Sequence, residues 1–274
     1  ALSTGDVKNM NGMFKDDLLI TSLDLSKFLT SKVTDMSAMF SGVKAVESLD
    51  LKAFDTSNAL DMSFMFNGME MLNALDISTF TTSKVTNMTS MFNGLKVLTS
   101  LDVTKFDTSN VTSFESMFRD CQMITSLDVS KFVTSNAQNF YAMFENCNKV
   151  TTLNVSNFDT SKAKNLASMF NGCSSITNLD VSKFRFDSLD FATYSETATI
   201  SGVSVPRNGL YGMFMGCEKL ANLDLTAWDT SSVTNMEAMF AWCQKLQSLD
   251  DLETLDTSNV KNMSRMFQGC MGLS

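Results

Sequence analysis

Met-Phe recurs at residues 13, 39, 65, 91, 117, 143 and 169 at a constant interval of 26, then at 213, 239 and 266. The step from 169 to 213 is 44, one period plus 18 residues, and the step from 239 to 266 is 27, with the extra residue near Asp250-Asp251. A unit this short cannot bury its own apolar side chains, so its copies must stack on one another. One repeat domain over 1–274 is expected, with an insertion at about 185–209.

Within the unit, Leu23 and Leu25 alternate with Ser22, Asp24 and Ser26, the pattern of a short strand with one face inward. Strands of successive units are expected to pair in parallel about 4.8 Å apart, joined by right-handed crossovers. In the crossover Val33, Met36, Met39 and Phe40 fall at helical spacing. Thr30-Ser31 stands where an N-cap is useful, and Gly42, Gly68, Gly94 and Gly172 stand where a helix ends. The spacing fits a short helical turn and leaves an irregular strand as the alternative.

The phrase Leu-Asp-Leu-Ser-x-Phe-Asp-Thr-Ser-x-Val-Thr-Asn-Met-x-x-Met-Phe-x-Gly-Cys, nearly complete from Leu223 to Cys243, resembles the 26-residue repeat of bacterial surface proteins, a relative of the BspA-like leucine-rich repeats. The resemblance extends over all but the insertion. It implies an α/β solenoid: a leucine-rich-repeat-like, right-handed stack of about ten 26-residue coils, with one parallel sheet and short helical turns opposite. It also implies an extracellular or cell-surface module of adhesins, with no enzymatic activity to transfer. Trp228 and Leu255 stand where other units have Phe.

Stacking turns each repeat position into a column. The cysteines at 121, 147, 173, 217, 243 and 270 share a position with Val43, Met69 and Leu95, which marks an apolar core site holding free thiols. With no histidine and no CxxC, no zinc site is expected. The outward column contains Asp76, Asp102, Asp128 and Asp180. One reading has these carboxylates bonded to neighbouring hydroxyls; the other makes them a polar or Ca2+-assisted ligand face. Thr30, Thr56, Thr82 and their successors, each followed by Ser, form a hydroxyl column that raises ice binding as a minor alternative. In the insertion, Ala198, Ile200, Val203 and Val205 around Ser201-Gly202 predict a hairpin. Phe186, Phe191 and Tyr194 are its candidate binding side chains, since insertions in solenoids are frequent binding features.

A net charge of −9 argues against nucleic acid and anionic membranes, and no run approaches 18 apolar residues. No nucleophile, base and orienting group converge, so no enzyme is expected. The leading expectation is adhesion to, or binding of, a protein or glycan on another cell or matrix, through the strand face or the insertion. The alternative is a structural rod or filament subunit that associates end to end.

Overall fold

The computed structural model describes residues 4–190, 196–200, 203–247 and 252–273, with backbone alone over 196–206. It is a stack of coils along which like residues superpose. Parallel bridges join Asn9, Asp35, Asp61, Asn87, Ser113, Asn139 and Asn165 in unbroken succession. Phe14, Phe40, Phe66, Phe92, Phe118, Phe144, Phe170, Phe214, Phe240 and Phe267 form one column of offset-stacked rings, with neighbouring centroids 5.6–5.9 Å apart. Met36, Met39, Phe40 and Val43 are fully buried, as are their counterparts through the middle coils. Phe54, Phe80 and Phe106 flank the ring column from the other side of the core.

The expected sheet is nearly absent. On the Leu-Asp-Leu side, among the described residues, β1 (Ser48–Leu49) pairs in parallel with β2 (Ala74–Leu75), and a single parallel bridge joins Asn178 to Asn222. Its side chains explain this. Each Asp of the column turns its Oδ1 back to accept the N–H two residues on, as Asp24 does from Ser26 at 3.0 Å and Asp128 from Ser130 at 2.9 Å. These Asx turns bend the segment away from the extended form a ladder requires.

The expected helical turn is a succession of β-turns instead. Met39, Ser41 and Val43 donate their N–H groups three residues back within the coil, while Met36, Ala38, Phe40 and Gly42 donate to Asp61, Ser63, Met65 and Asn67 of the next coil. A helix would consume every N–H internally; this arrangement keeps alternate ones for the neighbour. It needs a left-handed residue twice per coil, supplied at Ala38 (φ 53°) and Gly42 (φ 74°). Gly42 therefore closes a β-turn and caps no helix. Among the described residues the one helical element is the 3-10 turn Leu252–Thr254.

The Thr of each unit is no N-cap. Thr257 of the last coil is exposed, but up to Thr230 the Thr is buried, its hydroxyl spliced to the next coil: Thr134 Oγ1 accepts from the N–H of Asp159 at 2.7 Å and donates to the same residue's carbonyl at 3.0 Å. The Thr half of an ice-binding hydroxyl face is thus unavailable.

The insertion contains the expected hairpin. β3 (Glu196–Ile200) pairs antiparallel with β4 (Val203–Arg207), with Ile200 opposite Val203. Residues 185–190 still make coil contacts, Arg185 N–H to Thr160 Oγ1 and Asp190 N–H to the Lys164 carbonyl, which narrows the interruption to residues after 190. Phe170 and Phe214 stack across it at 5.7 Å.

Candidate binding face

The acid column is engaged in local hydrogen bonds. Asp76, Asp102, Asp128 and Asp180 each cap their own chain through Ser78, Thr104, Ser130 and Ser182, and those hydrogen bonds hold their carboxyls below the ordinary value. Among the described residues no three acidic, histidine or cysteine side chains are grouped to hold a metal ion. Phe186 occupies a Thr position of the repeat and is fully buried, its ring edge-on to Trp228 at 4.7 Å. It is core and cannot receive a ligand. Phe191 and Tyr194 lie outside the described residues.

The cysteines are packing groups. All six are free, and each Sγ–H points to a phenylalanine carbonyl of the preceding coil, as Cys147 does to Phe118 at 3.1 Å. Burial pushes the Cys121, Cys173 and Cys243 thiols up to about 12, which leaves them protonated and unreactive.

The chemically varied surface is the one the successive turns present. Over much of it the outward residues are small and polar, linked along the stack: Asn93 Nδ2 donates to Asn67 Oδ1 at 2.8 Å, and Asn67 Nδ2 to Ser41 Oγ at 3.1 Å. Near the insertion this changes. Tyr141 and Tyr211 are buried together with Ala142 and Ala167 beside the foot of the hairpin. Arg207, the last residue of β4, donates from Nη1 to Tyr141 Oη at 3.1 Å, lies 5.7 Å from the Tyr211 ring and approaches Glu145 at 3.7 Å. Glu145 is buried, paired with Arg119 at 2.9 Å and bonded by Asn171 at 2.7 Å. Burial raises its carboxyl above the ordinary value although Arg119 and Arg207 pull it down. One coil column further on, fully buried Glu237 accepts from Asn262 at 2.8 Å and pairs with Arg265. Three of the four arginines in the chain stand on this face.

Two clefts open here. One of about 540 Å³ is lined by Asn11, Lys15, Ser37, Phe64 and Asn67, among others, and one of about 500 Å³ by Arg207, Tyr211, Met215, Trp242, Arg265 and Gln268. Phe64 (φ 57°), Trp242 (φ 65°) and Arg265 (φ 60°) are bulky residues in a left-handed conformation that most coils give to Gly, Ala, Ser, Asn or Asp. Sequence reasoning passed over them. The signal was a break in a column: Phe64 and Arg265 at the position of Ala38, and Trp242 at that of Gly42.

A family model described as "Mycoplasma protein of unknown function, DUF285" matches residues 1–95, 61–184 and 208–274, leaving out only the stretch around the hairpin. Among curated proteins no sequence relative matches. Solved structures with similar chains include a leucine-rich repeat protein from Eubacterium ventriosum, 17% identical over 87% of this chain and 57% of that one, with a TM-score of 0.46. Another is the TLR13–ssRNA13 complex, 17% identical over 78% and 34%, TM-score 0.29. A third is a leucine-rich-repeat protein of Leptospira interrogans, 14% identical over 83% and 68%, TM-score 0.26. The chain therefore spans little more than half of the first of these proteins and a third of the second.

Proposed function

The chain belongs to the DUF285 family of Mycoplasma proteins of unknown function, and we propose that it is a non-enzymatic recognition module, working at the cell surface or outside the cell, that meets a macromolecular partner with its turn-bearing face. The observation that carries this reading is the concentration on one face of the hairpin foot, three arginines and the bulky left-handed residues Phe64 and Trp242. Strained backbone that keeps a large side chain at the surface, where Ala, Gly or Asn would relax it, marks selection for something other than stability. The acid column, with its carboxylates committed to local caps, takes the structural role.

The test is binding of the purified chain to immobilised extracellular-matrix proteins and glycans, beside a turn-face variant (Phe64→Asn with Trp242→Asn) and an acid-face variant (Asp76→Asn with Asp102→Asn). Loss in the first and retention in the second is expected. The reverse pattern transfers the site to the acid column, and no binding by the native chain favours a second reading, a rigid spacer, which the unbroken phenylalanine column supports.

A further inference from the structure

We propose that the cleft between the hairpin foot and Trp242 is a saccharide subsite that takes an uncharged pyranose unit. The inference rests on the turn face being the recognition face and specifies what part of that face binds.

Trp242 supplies the platform. A Cβ added at Gly269 would fall 2.3 Å from Trp242 Cε3 and 2.8 Å from Cδ2, so the indole lies across the glycine backbone of the next coil. Asp16 and Asn146 use the same seat over Gly42 and Gly172. There a small polar group fills it; here a ring does, and the residue remains 48% exposed. A flat apolar surface is thereby fixed at the edge of the cleft, at the cost of a left-handed tryptophan.

The polar lining decides the class of ligand. Arg207 and Arg265 bring two positive charges, but Glu237 is buried beneath Arg265, and Glu145, which Arg207 shares with Arg119, is joined by Asp120 on Arg119, so three arginines face three carboxylates. An anionic ligand would find little net attraction. The guanidinium groups nevertheless keep donors to spare: each has five N–H bonds, and the hydrogen bonds of Arg207 Nη1 to Tyr141 Oη and of Arg265 Nη2 to Glu237 engage one nitrogen of each. Gln268 adds an amide to the same lining. A cleft with N–H donors, no surplus charge and one aromatic face suits a ligand that is neutral, rich in oxygen acceptors and apolar on one side. A pyranose has that form: its axial C–H face covers the indole while its hydroxyls accept from the donors. About 500 Å³ falls within the range of small-ligand sites.

Saturation-transfer NMR with neutral methyl hexopyranosides and their di- and trisaccharides tests this directly. We expect saturable transfer strongest at the ring C–H protons. Trp242→Asn should weaken it about tenfold, the loss of one aromatic contact, and Asp102→Asn should leave it unchanged. The variant is expected to fold because Asn146 adopts φ 61° at the equivalent position; circular dichroism confirms that. The proposal is overturned by absence of saturable transfer from every neutral saccharide, by response to sulfated or carboxylated saccharides or to peptides alone, or by full binding in Trp242→Asn. If the turn-face variant loses its matrix partner while neutral saccharides fail, the saccharide assignment falls and the recognition face stands. If saccharides bind at Trp242 while matrix binding ignores both turn-face substitutions, the recognition-face reading falls instead.

Discussion

Thr134 shows how much one hydroxyl can carry. Its Oγ1 satisfies both backbone groups of Asp159 in the next coil, in a place water does not reach. Replacing it with isosteric valine leaves that N–H and C=O without partners, so Thr134→Val should cost about 2 kcal/mol, whereas exposed Ser83→Ala should cost less than about 0.5. Urea denaturation of the two variants measures the difference, and equal effects would remove the splice from the account. Phe64 is the opposite case, a residue that harms its own backbone. Phe64→Gly should raise stability by about 0.5–1 kcal/mol, since relief of a left-handed side chain outweighs the added freedom of glycine in the unfolded chain. A fall in melting temperature would mean that the ring is packed more usefully than its 40% exposure indicates.

At the scale of the element, the sequence made the period, the buried columns and the hairpin readable, because each depends on side-chain identity at fixed spacing. It did not reveal how the crossover is built. Met36, Met39, Phe40 and Val43 point inward at i, i+3, i+4 and i+7 whether the backbone is a helix or successive β-turns. What separates the two forms is a left-handed residue every fourth position, and although glycine advertises it at 42, 68 and 94, the alanine and serine at 38 and 90 conceal it. The acid column was readable as periodic exposed carboxylates bonded to neighbouring hydroxyls; the direction of the capping bond, from the N–H two residues on to Oδ1, was not. Those caps have a consequence for pH. The folded carboxyls of Asp76, Asp102, Asp128, Asp159 and Asp180 lie below the ordinary value of 3.8, chiefly through hydrogen bonds from Ser or Thr. Their stabilisation is complete above that value and is lost as pH falls through the lowered folded ones. Each is exposed and contributes little, but they repeat. Thermal melts taken downward from pH 7 should hold steady and then drop below about pH 4; a flat profile to pH 2 would mean that the caps are energetically idle.

Across the whole molecule, contacts run between neighbouring coils, and stability accumulates along the stack without any single centre. Phe118 lies midway in the ring column, 5.7 Å from both Phe92 and Phe144. Phe118→Ala should cost about 3–5 kcal/mol and, because the loss falls on one junction, should let the two arms unfold separately. Hydrogen exchange resolved by segment would show protection falling on one side first; uniform loss would mean that the stack melts as one body. The same continuity has a corollary at the hairpin. Phe170 and Phe214 meet at the distance found where no residues intervene, so the 18 additional residues leave the spine undisturbed. That junction behaves as a socket: lineages, or engineers, could exchange the loop plugged into it for others of different length and chemistry, changing what the molecule touches while its trunk remains as it was.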